Sequence, residues 1–350
     1  MLSNKKRIVY LDVLRVIACL SVIMIHTSAG YVVKDFGTFN FWVGNLFDGI
    51  ARIGVPLFVM ISGSLMLDKN YDYSNKKLIK HIKKLIIFFV FWSALYSTIY
   101  QILMPVFLKH ESISILKLLG SFIKGHFHLW FIYMIIGLYL ILPLLRLWVN
   151  DTNIKYVKYF IILAIIFTFI IPQIISIGSN YSNLFDQIQK ILDNINIKYV
   201  GGFTTYFLLG WYLNNYKIKN KKILYILGIL SIALIILVTG ILSITTNKDV
   251  QMYGNMTVTV LIYSVMIFAF VKDKCPNASE NNKIISNISK NSLGIYAIHP
   301  LIITIIYKIL SIFDLNTAII NIPICFIATI LIAYVVAYIF SKIPILNKVV

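Results

Sequence analysis

The chain has 350 residues, 59% of them hydrophobic, with a mean hydropathy of +0.84 and a formal net charge of +19. No soluble globular domain is that apolar, and the apolar runs recur from end to end, which excludes a soluble domain on a single anchor. In such a chain the excess of lysine and arginine reports the sidedness of loops rather than binding to nucleic acid.

A span needs about 20 apolar residues at a rise of about 1.5 Å each. By that rule the sequence predicts an all-α integral membrane protein of about ten transmembrane helices, one membrane-embedded domain over 1–350. The spans fall at 9–31, 47–67, 85–105, 128–149, 158–178, 199–216, 223–245, 255–271, 291–313 and 318–341. The glycine-containing sixth and the short eighth are the least marked. With the N-terminus inside, 22 of the 32 lysines and arginines face one side, seven the other, and three lie within spans. That asymmetry predicts both termini cytoplasmic. The first apolar run is span-length and lacks a small-residue cleavage site, so no removable signal is expected. Cys19, Cys275 and Cys325 lie in or beside apolar runs without CxxC or metal spacing, so neither a disulfide framework nor a metal site is indicated.

The first span, YLDVLRVIACLSVIMIHTSAG, carries Asp12, Arg15 and His26. Each is costly in hydrocarbon, which marks a functional site. Arg15 and His26 are eleven residues apart, within about 20° of three full turns and about 16 Å along the axis. They share a stripe with Asp12, Cys19 and Val22 that runs from the cytoplasmic edge inward. The bland alternative is a buried Asp12–Arg15 pair and a hydrogen-bonded histidine. The second span, ARIGVPLFVMISGSLML, places Arg52 in its outer half, where Pro56 frees the Arg52 carbonyl. Ser62 and Gly63 are small enough for close helix contact.

Two outer segments, VFLKHESISILKLLGSFIKGHF and SNYSNLFDQIQKILDNINIKYV, have the spacing of interfacial amphipathic helices. The fourth span opens with GHFHLWFIYM, whose His128 and Trp130 suit either an interfacial aromatic belt or a sugar-binding rim. In the ninth, NSLGIYAIHPLII sets His299 before Pro300, so a kink near His299 is expected. Neither a nucleotide-binding glycine loop nor an internal repeat is found.

LDVLRVIACLSVIMIHTSAGYV, RIGVPLFVMISG, HLWFI and SLGIYAIHPL together, in this order and at this spacing, resemble the acyltransferase-3 family of membrane-bound acyltransferases. Within the family the first and last are most similar to the enterobacterial common antigen O-acetyltransferase type. The resemblance covers the first two helices, the start of the fourth and the ninth. It implies transfer of an acyl group, usually acetyl from cytoplasmic acetyl-CoA as co-substrate, to a hydroxyl of a cell-surface or secreted polysaccharide or a lipid-linked saccharide. It implies a multi-pass protein of the cytoplasmic (inner) membrane of a bacterium. His26 would be catalytic, with Arg15 and Arg52 handling the donor and charge. His299, Tyr296 and Ser62 would join them at the donor, and Trp130, His128 and Asp12 would face the acceptor. No metal and no nucleic acid are expected; the lipid bilayer is, and a homodimer is allowed. Some relatives carry a fused esterase-like or racemase domain, which this chain lacks, so it is expected to act alone or with a separate partner.

The residues' own chemistry agrees. Cations on the cytoplasmic side suit the phosphates of CoA. His26 is suited to deprotonate a sugar hydroxyl or to take the acyl group itself. Arg52 is suited to stabilise an oxyanion. The alternatives are a transporter or flippase for an acyl group, lipid-linked sugar or amino acid, and a non-catalytic membrane sensor.

Overall fold

In hydrocarbon every backbone amide must be satisfied within its own segment, so apolar runs of this length have helix as their only open-chain solution. The computed structural model describes residues 8–69, 74–104, 114–179, 182–194, 201–250, 252–275, 282–313, 315 and 317–350, and no strand occurs among them. The helices are α1 (Val9–Val32), α2 (Phe39–Ala51), α3 (Gly54–Met66), α4 (Asn75–Thr98), α5 (Ile115–Lys124), α6 (Trp130–Trp148) and α7 (Ile154–Ala164). They continue with α8 (Ile171–Gly178), α9 (Asn183–Asp193), α10 (Gly202–Asn215), α11 (Lys221–Thr246), α12 (Val258–Lys274), α13 (Lys283–Ile312) and α14 (Ala318–Lys342).

Among the described residues eight stretches are long and apolar enough to cross a membrane: α1, α2 with α3, α4, α5 with α6, α7 with α8, α11, α13 and α14. The other two predicted spans also fold as helices, but α10 has 14 residues and α12 has 17. Those are the glycine-containing and the short segments.

The second predicted span differs from expectation. It starts at Phe39 rather than 47, and it is broken at Arg52–Ile53. Pro56 has no amide to give the Arg52 carbonyl, so the ladder lapses there and restarts with Leu57 N–H donating to Ile53 O at 2.9 Å. The break leaves Arg52 at the end of α2, where its amide reaches Gly49 O at only 3.5 Å.

Helix α1 lies inside the bundle against α2, α3, α13 and α14. Small residues let α3 and α10 cross almost backbone to backbone. A Cβ on Gly63 would stand 1.9 Å from Phe207 O, and one on Gly210 would stand 1.9 Å from Met60 O. Ser64 Oγ donates to Gly210 O across the same crossing at 2.8 Å. The two amphipathic segments fold as α5, capped by Ser114, and α9, capped by Ser182. Their flanks at 105–113, 180–181 and 195–200 lie outside the described residues.

Three loops meet at Asp151. Tyr216 Oη donates to Asp151 Oδ1 at 2.6 Å, and Lys69 Nζ stands 3.5 Å from Oδ2.

Candidate active site

Arg15 and His26, three turns apart on α1, line one cavity of about 200 Å³. Val22 lies between them on the same wall; Val55 and Phe58 of α3 and Trp130 and Phe131 of α6 face them. His128, Ser292, Leu293 and Tyr296 complete the lining. Of the residues singled out in the sequence, His26, Arg15, His128, Trp130 and Tyr296 are thus brought together.

Arg15 is fixed from two helices. Its Nη1 lies 3.4 Å from Asp12 Oδ1 and donates to Ser289 Oγ of α13 at 3.1 Å, while Ser289 Oγ donates to Asp12 Oδ1 at 2.5 Å. Asp12 is 7% exposed and orients the guanidinium from behind rather than lining the cavity. Cys19 turns the other way, into a separate apolar cavity of about 300 Å³ between α1, α13 and α14.

His26 and His128 line the cavity, and His299 and His126 meet their rings from outside its lining. The His26 ring stacks on His299 at a centroid distance of 5.1 Å and meets the edge of Phe127 at 5.1 Å. No side chain or carbonyl among the described residues hydrogen-bonds to it. His299 is held differently. Pro300 lacks the amide that would bond the Tyr296 carbonyl, and His299 Nδ1–H donates to that carbonyl instead, at 2.7 Å. A carbonyl only accepts, so Nδ1 carries the proton and Nε2 presents a lone pair. That Nε2 is buried without a partner. His299 and Pro300 both lie inside α13, which is helical from Lys283 to Ile312.

The same logic fixes His128. Its Nε2–H donates to Ala297 O at 3.2 Å, so in the neutral ring Nδ1 accepts from His126 Nδ1–H at 2.9 Å. Tyr296 Oη donates to His128 O, tying the site's α13 wall to the start of α6. No group of three His, Cys, Asp or Glu side chains among the described residues forms a metal-binding arrangement.

The sequence model of a family described as an acyltransferase domain matches residues 8–338. The chain belongs to the acyltransferase-3 family. No curated protein and no solved structure matches it. In this multi-pass membrane acyltransferase Arg15 and His26 stand on the wall of one cavity.

Arg52, Ser62 and His299 stand outside the lining of that cavity. Arg52 is paired through Nε and Nη2 with Asp48 Oδ2 and lies 3.8 Å above the Tyr253 ring. It remains within electrostatic reach of His26. Ser62 Oγ donates to Phe58 O at 3.0 Å, within its own helix. Asp48 and Tyr253 were not singled out in the sequence, nor were Ser289 and His126. Asp48 had a signal, an acid four residues before Arg52 in FDGIAR. His126 stood in GHFH beside His128. Ser289 and Tyr253 gave none, because only the fold brings them to the arginines.

Proposed function

We propose that this membrane acyltransferase moves an acetyl group from cytoplasmic acetyl-CoA to a hydroxyl of an extracytoplasmic saccharide, in the cytoplasmic membrane of a bacterium with both termini inside. The observation that supports it most is one cavity shared by Arg15 and His26. Arg15 stands at the proposed cytoplasmic end and His26 about 16 Å further along the helix. A cation at that end suits the anionic donor, and its thioester arm then points along the cavity to the imidazole. About 200 Å³ is below the range of drug-sized pockets, roughly 300–1,000 Å³. It suits a short acyl group with its thioester rather than a fatty chain, which favours acetyl. The likeness to the enterobacterial common antigen O-acetyltransferase type points the same way.

In the proposed reaction a ring nitrogen of His26 takes the hydroxyl proton while the oxygen attacks the thioester carbonyl. The C–S bond then breaks, and the leaving thiolate recovers the proton from the imidazolium. The products are an ester and the free CoA thiol, with nothing oxidised or reduced. Arg52, near His26 but outside the cavity, contributes its charge to the forming oxyanion at a distance.

The test is transfer from labelled acetyl-CoA in proteoliposomes, with labelled glycan and released CoA both followed. Removing a general base costs roughly 10²–10⁴ in rate, so His26→Ala is expected to lose at least a hundredfold while keeping its thermal transition. Equal transfer by a well-folded His26→Ala protein takes His26 out of the chemistry. Flux of saccharide without covalent change, by wild type, replaces the acyltransfer reading with transport.

A further inference from the structure

We propose that a second cavity, one turn beyond His26 on α1, is the subsite that holds a pyranose ring of the acceptor saccharide. This rests on the proposed function for its direction, since it makes that end of α1 the extracytoplasmic one.

The cavity measures about 550 Å³ and is bounded by the end of α1, the loop to α2, and Tyr307 of α13. A volume of that size falls within the range of small-molecule sites. Its floor is Gly30, four residues past His26, which is about 6 Å along the axis and within about 40° of the same face. A Cβ placed on Gly30 would meet nothing within 4 Å. The helix is therefore bare where the ring would lie. Tyr307 Oη donates to Thr27 O, joining the cavity wall to the residue next to His26.

The lining selects the ligand class. Tyr31 and Tyr307 supply aromatic faces, and these suit the C–H faces of a pyranose. Lys34 gives donors only, Asp35 acceptors only, and Asn40 both. Sugar hydroxyls donate and accept at once, so a saccharide uses such a mixture fully. A phosphate site would hold donors alone, and an acyl chain would take an apolar lining like that of the cavity beside Cys19. The loop is built to hold this mixture in place. Asp35 adopts a left-handed conformation at φ 52°, its carbonyl accepts from Thr38 Oγ1 at 2.8 Å, and Thr38 caps α2. Asn40 is anchored by accepting from Ala318 N–H at 2.9 Å.

The experiment fills the bare position. Gly30→Trp is compared with Gly120→Trp on α5, a glycine that likewise has open space over it and lies outside both cavities. Acyl transfer from acetyl-CoA to the methyl pyranosides of glucose, galactose and N-acetylglucosamine is measured in proteoliposomes. Gly30→Trp is expected to raise the acceptor KM at least tenfold, and Gly120→Trp to leave it unchanged. Equal KM values for wild type and Gly30→Trp overturn the subsite while the acyltransfer reading stands. The second measurement needs no turnover. Gly30→Cys is expected to react with a charged, membrane-impermeant maleimide and to be protected at least threefold by one of the pyranosides, unlike Gly120→Cys. Protection without any transfer sinks the acyltransfer reading and supports the subsite; absence of protection by all three at 100 mM overturns the subsite.

Discussion

His299 keeps its ring proton on Nδ1 because Pro300 leaves a carbonyl in need of a donor, so two adjacent residues set a tautomer that neither would set alone. Pro300→Ala restores the amide, which then competes for Tyr296 O. The expected outcome is a protein of equal or higher melting temperature in which ¹⁵N shifts report mixed His299 tautomers and acyl transfer slows severalfold. Unmixed His299 shifts would show that the proline has no hold on the ring. Asp48 is the other residue whose role is visible only in its pairing: it is fully buried, and Arg52 closes on it. Asp48→Ala leaves a largely buried guanidinium without its carboxylate, a loss expected to cost about 3–5 kcal/mol. Adding Arg52→Leu should recover most of that in a denaturation experiment, because the uncompensated charge is then gone. Arg15, His26, His128, Trp130 and Tyr296 were legible as candidates because ionisable and aromatic side chains are conspicuous in apolar runs. Ser289 was not, since a serine in a helix has many uses and its value lies in reaching Asp12 from another helix.

At the scale of elements, the ten stretches read from hydropathy are helical where they are described, but eight stretches are long and apolar enough to cross a membrane, and continuity was not legible. A hydropathy window averages across a break, so Arg52–Ile53 escaped it, even though Pro56 marked the carbonyl that would be left over; α10 and α12 are the two segments it marked least. The crossing of α3 and α10 was legible only from one side, in Ser62–Gly63; Gly210 gains meaning from Met60 O opposite. Gly63→Ala places a methyl inside van der Waals contact with Phe207 O, and the two helices must part. Overpacking of this kind costs about 1–3 kcal/mol or more, and the lowered thermal transition should be shared by Gly210→Ala. A normal transition in both would mean that the helices slide apart without penalty.

Across the whole molecule, α1 supplies both ends of the proposed active cavity and the floor of the proposed acceptor subsite, so the bundle is organised around one helix. Its far loops are clasped separately. Tyr216's hydrogen bond, with Lys69 beside it, holds the Asp151 carboxyl below the usual carboxylate range. A lowered folded pKa contributes stability that is present above the unfolded value, about 3.9, and lost as pH falls through the folded one. The clasp is therefore closed at neutral pH, and proteolysis at 150–153 should quicken only in acid below that value. Asp151→Asn is expected to remove the acid dependence.

The crowding of histidine has one more consequence. The His26 ring meets His299, His299 meets His128 and His128 meets His126, four of the six histidines in 350 residues. A sample isotopically labelled at histidine alone would turn a 40.1 kDa membrane protein into a spectrum in which four of six signals watch the same few ångströms. Each ring lies in its neighbours' ring currents, so a donor or acceptor entering the cavity would register in all four resonances before any bond is made.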